Sequence, residues 1–148
     1  MFIKKMIKMD KNDKTPVFQG TATMMVTPFL EGRLWMEALR ELIEFQMDAK
    51  VQAIVMAGTA GEGPGMDDAL RRQVIEAGIR LAKKRVKVLA AVGGPNVSDT
   101  VKLVRWACDQ GADGFLVVPP YYLKTSEEGV YKSYMEIAGQ SNVPVVLS

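Results

Sequence analysis

Residues 53–63 read Ala-Ile-Val-Met-Ala-Gly-Thr-Ala-Gly-Glu-Gly, an apolar run that passes directly into a turn with glycine at 58, 61 and 63. The run, residues 53–57, has the length and composition of a strand covered on both faces. The next segment, residues 67–84, carries Leu70, Val74, Ala77 and Leu81 along one side of a helix. Strand, glycine turn and helix in that order make one βα unit, and a chain built from such units forms a parallel sheet.

The same unit recurs on both sides. Upstream, residues 21–29 read as a strand whose Met24, Met25 and Val26 suit burial on both faces. A helix follows over about 34–50, with Trp35, Leu39, Leu42, Phe45 and Ala49 at helical spacing. Downstream, a strand over 88–92 ends at Gly93-Gly94-Pro95, Asn96 is placed to cap a helix, and Gly111 to close it. A fourth strand, 115–118, stops at Pro119-Pro120. Thr125 and Glu128 then have capping-box spacing before a helix that runs to about Gly139, and a last apolar run occupies 143–147. Strand starts recur at about one βαβ step, roughly 30 residues. The expectation is an α/β domain over residues 18–148 with about five parallel strands and four helices, behind a basic tail over 1–17. Either an open doubly wound sheet or the first half of a (β/α)8 barrel has this order, and periodicity does not separate them. With 148 residues the chain is below the roughly 200 to 250 of a closed barrel.

Composition narrows the chemistry. The chain has no His, which excludes Ser-His and Cys-His nucleophile pairs and imidazole metal sites. Its one cysteine, Cys108, excludes an internal disulfide and a thiolate zinc cluster. Its helical neighbours Val101, Val104 and Ala107 mark it as a small buried hydrophobe. The carboxylates are scattered over helix surfaces, so no metal and no cofactor is expected. The net charge of +2 belongs to the tail, where Lys4, Lys5, Lys8, Lys11 and Lys14 stand with Asp10 and Asp13; the body is near neutral. That lead has no arginine and no interleaved aromatic, so neither a nucleic-acid nor a membrane partner is expected. No apolar run approaches the ~18 residues of a membrane helix or forms a signal-peptide core, and a cytoplasmic location is the expectation. Lys83, Lys84, Arg85 and Lys87 cluster where the second helix stops and complement its dipole, with a phosphate site as the alternative.

Both architectures put function at the carboxyl ends of the strands. There stand Thr27-Pro28, Gly58-Thr59-Ala60-Gly61-Glu62-Gly63, Gly93-Gly94, Pro119-Pro120-Tyr121-Tyr122 and Ser148. The glycines let the backbone bend and turn its N–H groups inward, a concavity for a carboxylate or phosphate to which Thr59 adds a hydroxyl. A tight strand-to-helix turn is the alternative reading. Tyr121 and Tyr122 follow two prolines; a phenol held by a hydroxyl such as that of Thr59 relays protons, whereas a packing pair needs no such partner. Glu62 is either a general base or a helix cap.

As a set, these residues resemble the dihydrodipicolinate synthase and N-acetylneuraminate lyase family. The resemblance runs from Phe18-Gln19-Gly20-Thr21-Ala22-Thr23 and Val26-Thr27-Pro28-Phe29 through Gly58-Thr59-Ala60-Gly61-Glu62. It continues in Val118-Pro119-Pro120-Tyr121-Tyr122 with Ser126-Glu127-Glu128-Gly129. It implies a lyase built as a (β/α)8 barrel that joins pyruvate, or a related 2-keto acid, to a sixth-strand lysine as a Schiff base. It implies that Gly58, Thr59 and Ala60 hold the substrate carboxylate and that Thr59 enters a hydroxyl relay. Tyr122 is implied to complete that relay in a neighbouring subunit of a homo-oligomer.

The sequence departs from the family pattern at four places. Ala60 stands where synthases have a second threonine, Leu123 follows the tyrosine pair in place of asparagine, and Ser148 occupies the fifth-strand tyrosine position. The sixth strand with its lysine is not among the 148 residues. Two functions follow as expectations: the amino-terminal half of a dihydrodipicolinate-synthase-type lyase, or a catalytically silent half-barrel that self-associates or binds a small carboxylate. Ala60 also keeps an aldolase of sialic acid or a keto-deoxy sugar acid open.

Overall fold

The computed structural model describes residues 16–148; most of the expected basic tail lies outside the described residues. A five-stranded sheet contains β1 (Ala22–Met24), β4 (Ala53–Met56), β5 (Lys87–Val92), β6 (Gly114–Val117) and β7 (Val145–Leu147). Every neighbouring pair is parallel, and the spatial order equals the chain order, β1-β4-β5-β6-β7. A doubly wound sheet must reverse its order at a switch point. This sheet has no reversal, so it is a segment of barrel wall, the architecture that periodicity had left undecided.

The crossover helices are α1 (Met36–Asp48), α2 (Asp68–Ala82) and α3 (Val97–Gln110), with α4 (Glu127–Ala138) between β6 and β7. The strands alternate their side chains between two faces. One face, with Ile54, Met56, Val88, Ala90, Val92, Phe115 and Val117, packs against Leu39 and Ile43 of α1, Val74 and Ile75 of α2, Val104 of α3 and Ile137 of α4. Burial of each of the Val, Leu, Ile, Met and Phe side chains among them contributes about 1.5–3 kcal/mol, so this layer is the main source of stability. The opposite face carries Ala53, Val55, Leu89 and Ala91, against which Val17, Phe18, Leu116 and Val146 pack. Cys108 is half-buried beside the outer core, as a small apolar filler.

The helix ends follow local chemistry. The Asp67 carboxylate accepts from Leu70 N–H at 2.8 Å, and Asn96 Oδ1 accepts from the Ser98 and Asp99 N–H groups. Gly111 closes α3 with φ of 88°, a conformation glycine adopts without strain. Three expectations are corrected here. The expected strand over 21–29 ends at Met24. Phe29–Leu30 (β2) instead pairs antiparallel with Arg33–Leu34 (β3), because Glu31 and Gly32 both take positive φ and form a two-residue hairpin turn. With β1 at the sheet edge, only Met25 of the three expected core residues is buried; Met24 and Val26 are 40% and 50% exposed. At α4 the cap is Ser126, whose Oγ accepts from Gly129 N–H at 3.2 Å, and the Thr125–Glu128 box does not form.

The basic cluster after α2 serves both its own helix end, where Arg85 donates to Leu81 O at 3.3 Å, and neighbouring elements. Lys83 and Lys84 adopt left-handed φ of 50° and 62° and turn the chain. Arg85 pairs with Glu44 of α1 at 2.6 Å, and the Lys84 and Lys87 ammonium groups reach Asp113 Oδ1 at 3.4 and 3.3 Å. Asp113 Oδ2 also accepts from Val88 N–H at 3.0 Å, while its own N–H donates to Val88 O at 2.8 Å. The α3–β6 turn is thereby fastened to the first residues of β5.

Candidate functional site

The loops at the carboxyl ends of β1, β4, β5 and β6 surround one mouth of the sheet. The turn after β4 sits at its centre, and its glycines answer to crowding more than to backbone angle. Positive φ falls on Ala57 (56°) and Glu62 (60°), not on Gly58, Gly61 or Gly63. A Cβ on Gly63 would overlap the Ala57 carbonyl; one on Gly61 would lie 2.6 Å from Met25 O, and one on Gly58 would lie 2.8 Å from Met24 Sδ. Three neighbours therefore press on this turn, two through backbone and one through a side chain.

The internal hydrogen bonds decide which groups remain for a ligand. Gly61 N–H and Gly63 N–H donate to Gly58 O at 3.1 and 3.0 Å, and Glu62 N–H donates to Thr59 O at 3.1 Å. Three of the expected inward-facing amides are thus consumed within the turn. The Thr59 and Ala60 N–H groups are not used by it, and both residues stand exposed at the mouth. Glu62 is the left-handed residue before the short 3-10 turn Gly63–Gly65 and makes no side-chain cap there. From the loop after β1, the buried Thr27 hydroxyl donates to Gly61 O at 2.7 Å and braces the turn.

Tyr122 follows the two prolines with φ of 69° and is 98% exposed. Within one chain it therefore does not meet Thr59. Tyr121 lies closer in, beside Arg71, in a cleft of about 210 Å³ that Gly93, Gly94, Asn96 and Thr100 also line. The Arg71 guanidinium donates to Gly93 O at 3.2 Å and to Ala91 O at 3.0 Å, and its Nε is buried without a partner. Burial lowers its pKa from the ordinary value, against the opposing pull of Tyr121 and Asp68. Ser148 follows β7 at the same mouth, its N–H donating to Val117 O at 3.0 Å.

Sequence reasoning gave Arg71 no role, placed Thr27 at a strand end without a partner, and read Met24 as a buried strand residue. For Arg71 a signal existed: the buried stripe of α2 includes Val74, Ile75, Gly78 and Ala82, and position 71 extends it by one helical step. An arginine on an apolar stripe reads as a tether. Thr27 and Met24 carry no comparable signal, since their partners lie 34 and 36 residues away.

A parallel, sequentially ordered sheet with helices on one face, and with loops gathered at its carboxyl mouth, defines part of the wall of a (β/α)8 barrel. The family model of the dihydrodipicolinate synthetase family matches residues 17–148, and the chain belongs to that family. It is 42% identical over 132 residues to the 4-hydroxy-tetrahydrodipicolinate synthase of Syntrophotalea carbinolica, covering 88% of this chain and 45% of that protein. The crystal structure of dihydrodipicolinate synthase from Aquifex aeolicus superposes with a TM-score of 0.85 at 39% identity, over 88% of this chain and 44% of that one. The chloride-inhibited dihydrodipicolinate synthase from Acinetobacter baumannii, complexed with pyruvate, does so with a TM-score of 0.83 at 35% identity, over 87% and 45%. The chain spans somewhat less than half the length of these relatives.

Proposed function

We propose that this chain forms the carboxylate-binding half of a pyruvate-dependent lyase of the dihydrodipicolinate synthase type. The observation that carries this reading is the pair of amides at Thr59 and Ala60. They are adjacent, exposed, left unused by their own turn, and set at the mouth where a parallel barrel places its chemistry. Together with the Gly58 backbone they suit a planar carboxylate, and the Thr59 hydroxyl stands beside them as a proton carrier. A pyruvate complex among the related structures favours a 2-keto acid as the ligand. Tyr122 has the exposure required of a phenol that serves a neighbouring copy. In a homo-oligomer it completes a hydroxyl relay that this chain cannot close alone.

The covalent step needs an amine. Family members use a lysine on a sixth strand, and the described residues form five strands of the sheet. Among the described lysines, Lys124 alone sits in a loop at the carboxyl mouth. This chain by itself is therefore expected to bind pyruvate without forming the Schiff base. Amide NMR during a pyruvate titration tests the carboxylate role, with shifts at Thr59 and Ala60 expected and Thr59→Val weakening the response. Unmoved amides at millimolar pyruvate would remove the carboxylate role and leave a silent half-barrel that only self-associates. Borohydride trapping followed by intact mass tests the second point: no adduct is expected, and an adduct would place the reacting amine within these 148 residues. Concentration-dependent light scattering tests association, and a compact monomer throughout would remove the subunit-crossing role of Tyr122.

A further inference from the structure

Met24 is the third residue of β1, and its side chain leaves the strand on the inner face, in register with Val55 of β4. From there the thioether passes over Gly58, close enough that a Cβ at 58 would lie 2.8 Å from Sδ. It ends 3.3 Å from the Ala60 nitrogen, whose N–H donates to the sulfur. One of the two amides left free by the glycine turn is thus occupied by a side chain from another strand. We propose that Met24 is a displaceable placeholder in the carboxylate site: its sulfur holds the Ala60 N–H until a substrate carboxylate takes that N–H over. This proposal rests on the carboxylate role of the 58–60 turn.

The chemistry favours the exchange. Thioether sulfur is a weak acceptor, whereas a carboxylate makes a charge-assisted bond roughly twice as strong as a neutral one. Methionine has three rotatable side-chain bonds, and Met24 is partly open to solvent, so it has somewhere to go. Residue 60 sharpens the effect. Alanine has no hydroxyl to offer, which leaves its N–H as the only hydrogen-bonding group that residue can give the ligand. Glycine at 58 is what makes the arrangement fit, because any side chain there would meet the sulfur. Met24 thereby sets apparent affinity and selects for ligands that present a full negative charge to Ala60, since a neutral carbonyl gains much less by displacing it.

The test uses the whole chain labelled with 15N and with 13C at the methionine methyl groups. In wild type, added pyruvate is expected to move the Ala60 amide and the Met24 ε-methyl together, at one concentration midpoint. Met24→Leu keeps the volume and removes the acceptor. It is expected to shift the Ala60 amide before any ligand is added and to bind pyruvate about threefold or more tightly, the loss of one weak hydrogen bond from the free state. Pyruvamide, the neutral amide of the same size, is expected to leave the Met24 methyl in place. An Ala60 amide identical in wild type and Met24→Leu without ligand would overturn the placeholder while leaving the carboxylate site intact. So would an Ala60 amide that moves with pyruvate while the Met24 methyl stays fixed. If the Thr59 and Ala60 amides ignore pyruvate in both proteins, the carboxylate reading itself fails and the displacement fails with it. The ligand-free shift caused by Met24→Leu still reports separately whether the contact exists.

Discussion

At position 63 a single hydrogen in place of a methyl group keeps the site turn folded. A Cβ there would overlap the Ala57 carbonyl, and the nearby backbone is already held by Gly63 N–H donating to Gly58 O. Gly63→Ala is expected to cost about 3 kcal/mol or more, because backbone rather than a flexible side chain must move. That is a fall in Tm of about 6–12 °C for a chain of this size. Gly65→Ala is the matched control. Nothing lies within 4 Å of its would-be Cβ and its φ is not positive, so stability is expected to hold within about 0.5 kcal/mol. Thermal unfolding of the two variants, side by side, checks the contrast. The glycine pattern was plain in the sequence, but its reason was not. Left-handed angles fall on Ala57 and Glu62, and only the folded turn shows that Gly61 and Gly63 yield space to carbonyls while Gly58 yields it to a sulfur.

Elements were legible where apolar spacing was strong and less so where a strand was short. The helix patterns located α2 and α3, the latter with its Asn96 and Gly111 boundaries, because cap and stripe agree locally. The run over 21–29 reads as one strand in the sequence because its β-branched and apolar residues fit either one long strand or a strand and a hairpin. The choice is made by the positive φ of Glu31 and Gly32 and by Trp35 N–H donating to Pro28 O at 2.9 Å. At α4, two adjacent hydroxyl residues compete for one cap, a contest that spacing does not settle. Ser126→Ala is expected to destabilise the protein by about 1 kcal/mol, and Thr125→Ala by clearly less, since the Ser126 oxygen alone accepts from Gly129 N–H. Urea unfolding of both variants checks the order.

For the whole molecule, the sequence established a βα repeat and stopped short of the architecture. Strand order, which no local pattern encodes, separates a barrel wall from an open doubly wound sheet. The candidate site was legible in the same partial way. Gly58, Thr59, Ala60 and Thr27 were identifiable from position at a strand end, whereas the contacts that Met24 and Thr27 make with the turn exist only once β1 lies beside β4. Long-range electrostatics belong to this scale as well. Arg85, hydrogen-bonded to Glu44 across the α1–α2 groove, lowers the carboxyl pKa from 4.5, with Lys83 and Arg40 adding to the effect. A carboxyl depressed in the folded state contributes stability above its unfolded pKa and loses it as pH falls through the folded value. The small Tm advantage of wild type over Glu44→Gln is therefore expected at neutral pH and should shrink below pH 4.5 as the group protonates. Both members are exposed, so added salt should diminish it too. Parallel melts across an acid pH series check the sign.

The fastening at Asp113 bears on how the sheet finds its alignment. A slip of β6 by one residue would turn Phe115 away from the helices, and the apolar pattern alone forbids it. A slip by two residues keeps every side chain on its proper face, so hydrophobicity is blind to that error. It would, however, carry the Asp113 carboxylate roughly 6–7 Å along the ladder, away from Lys84, Lys87 and the Val88 amide. One nearly buried charge at the rim thus proofreads a strand pairing that the alternation of faces alone does not fix.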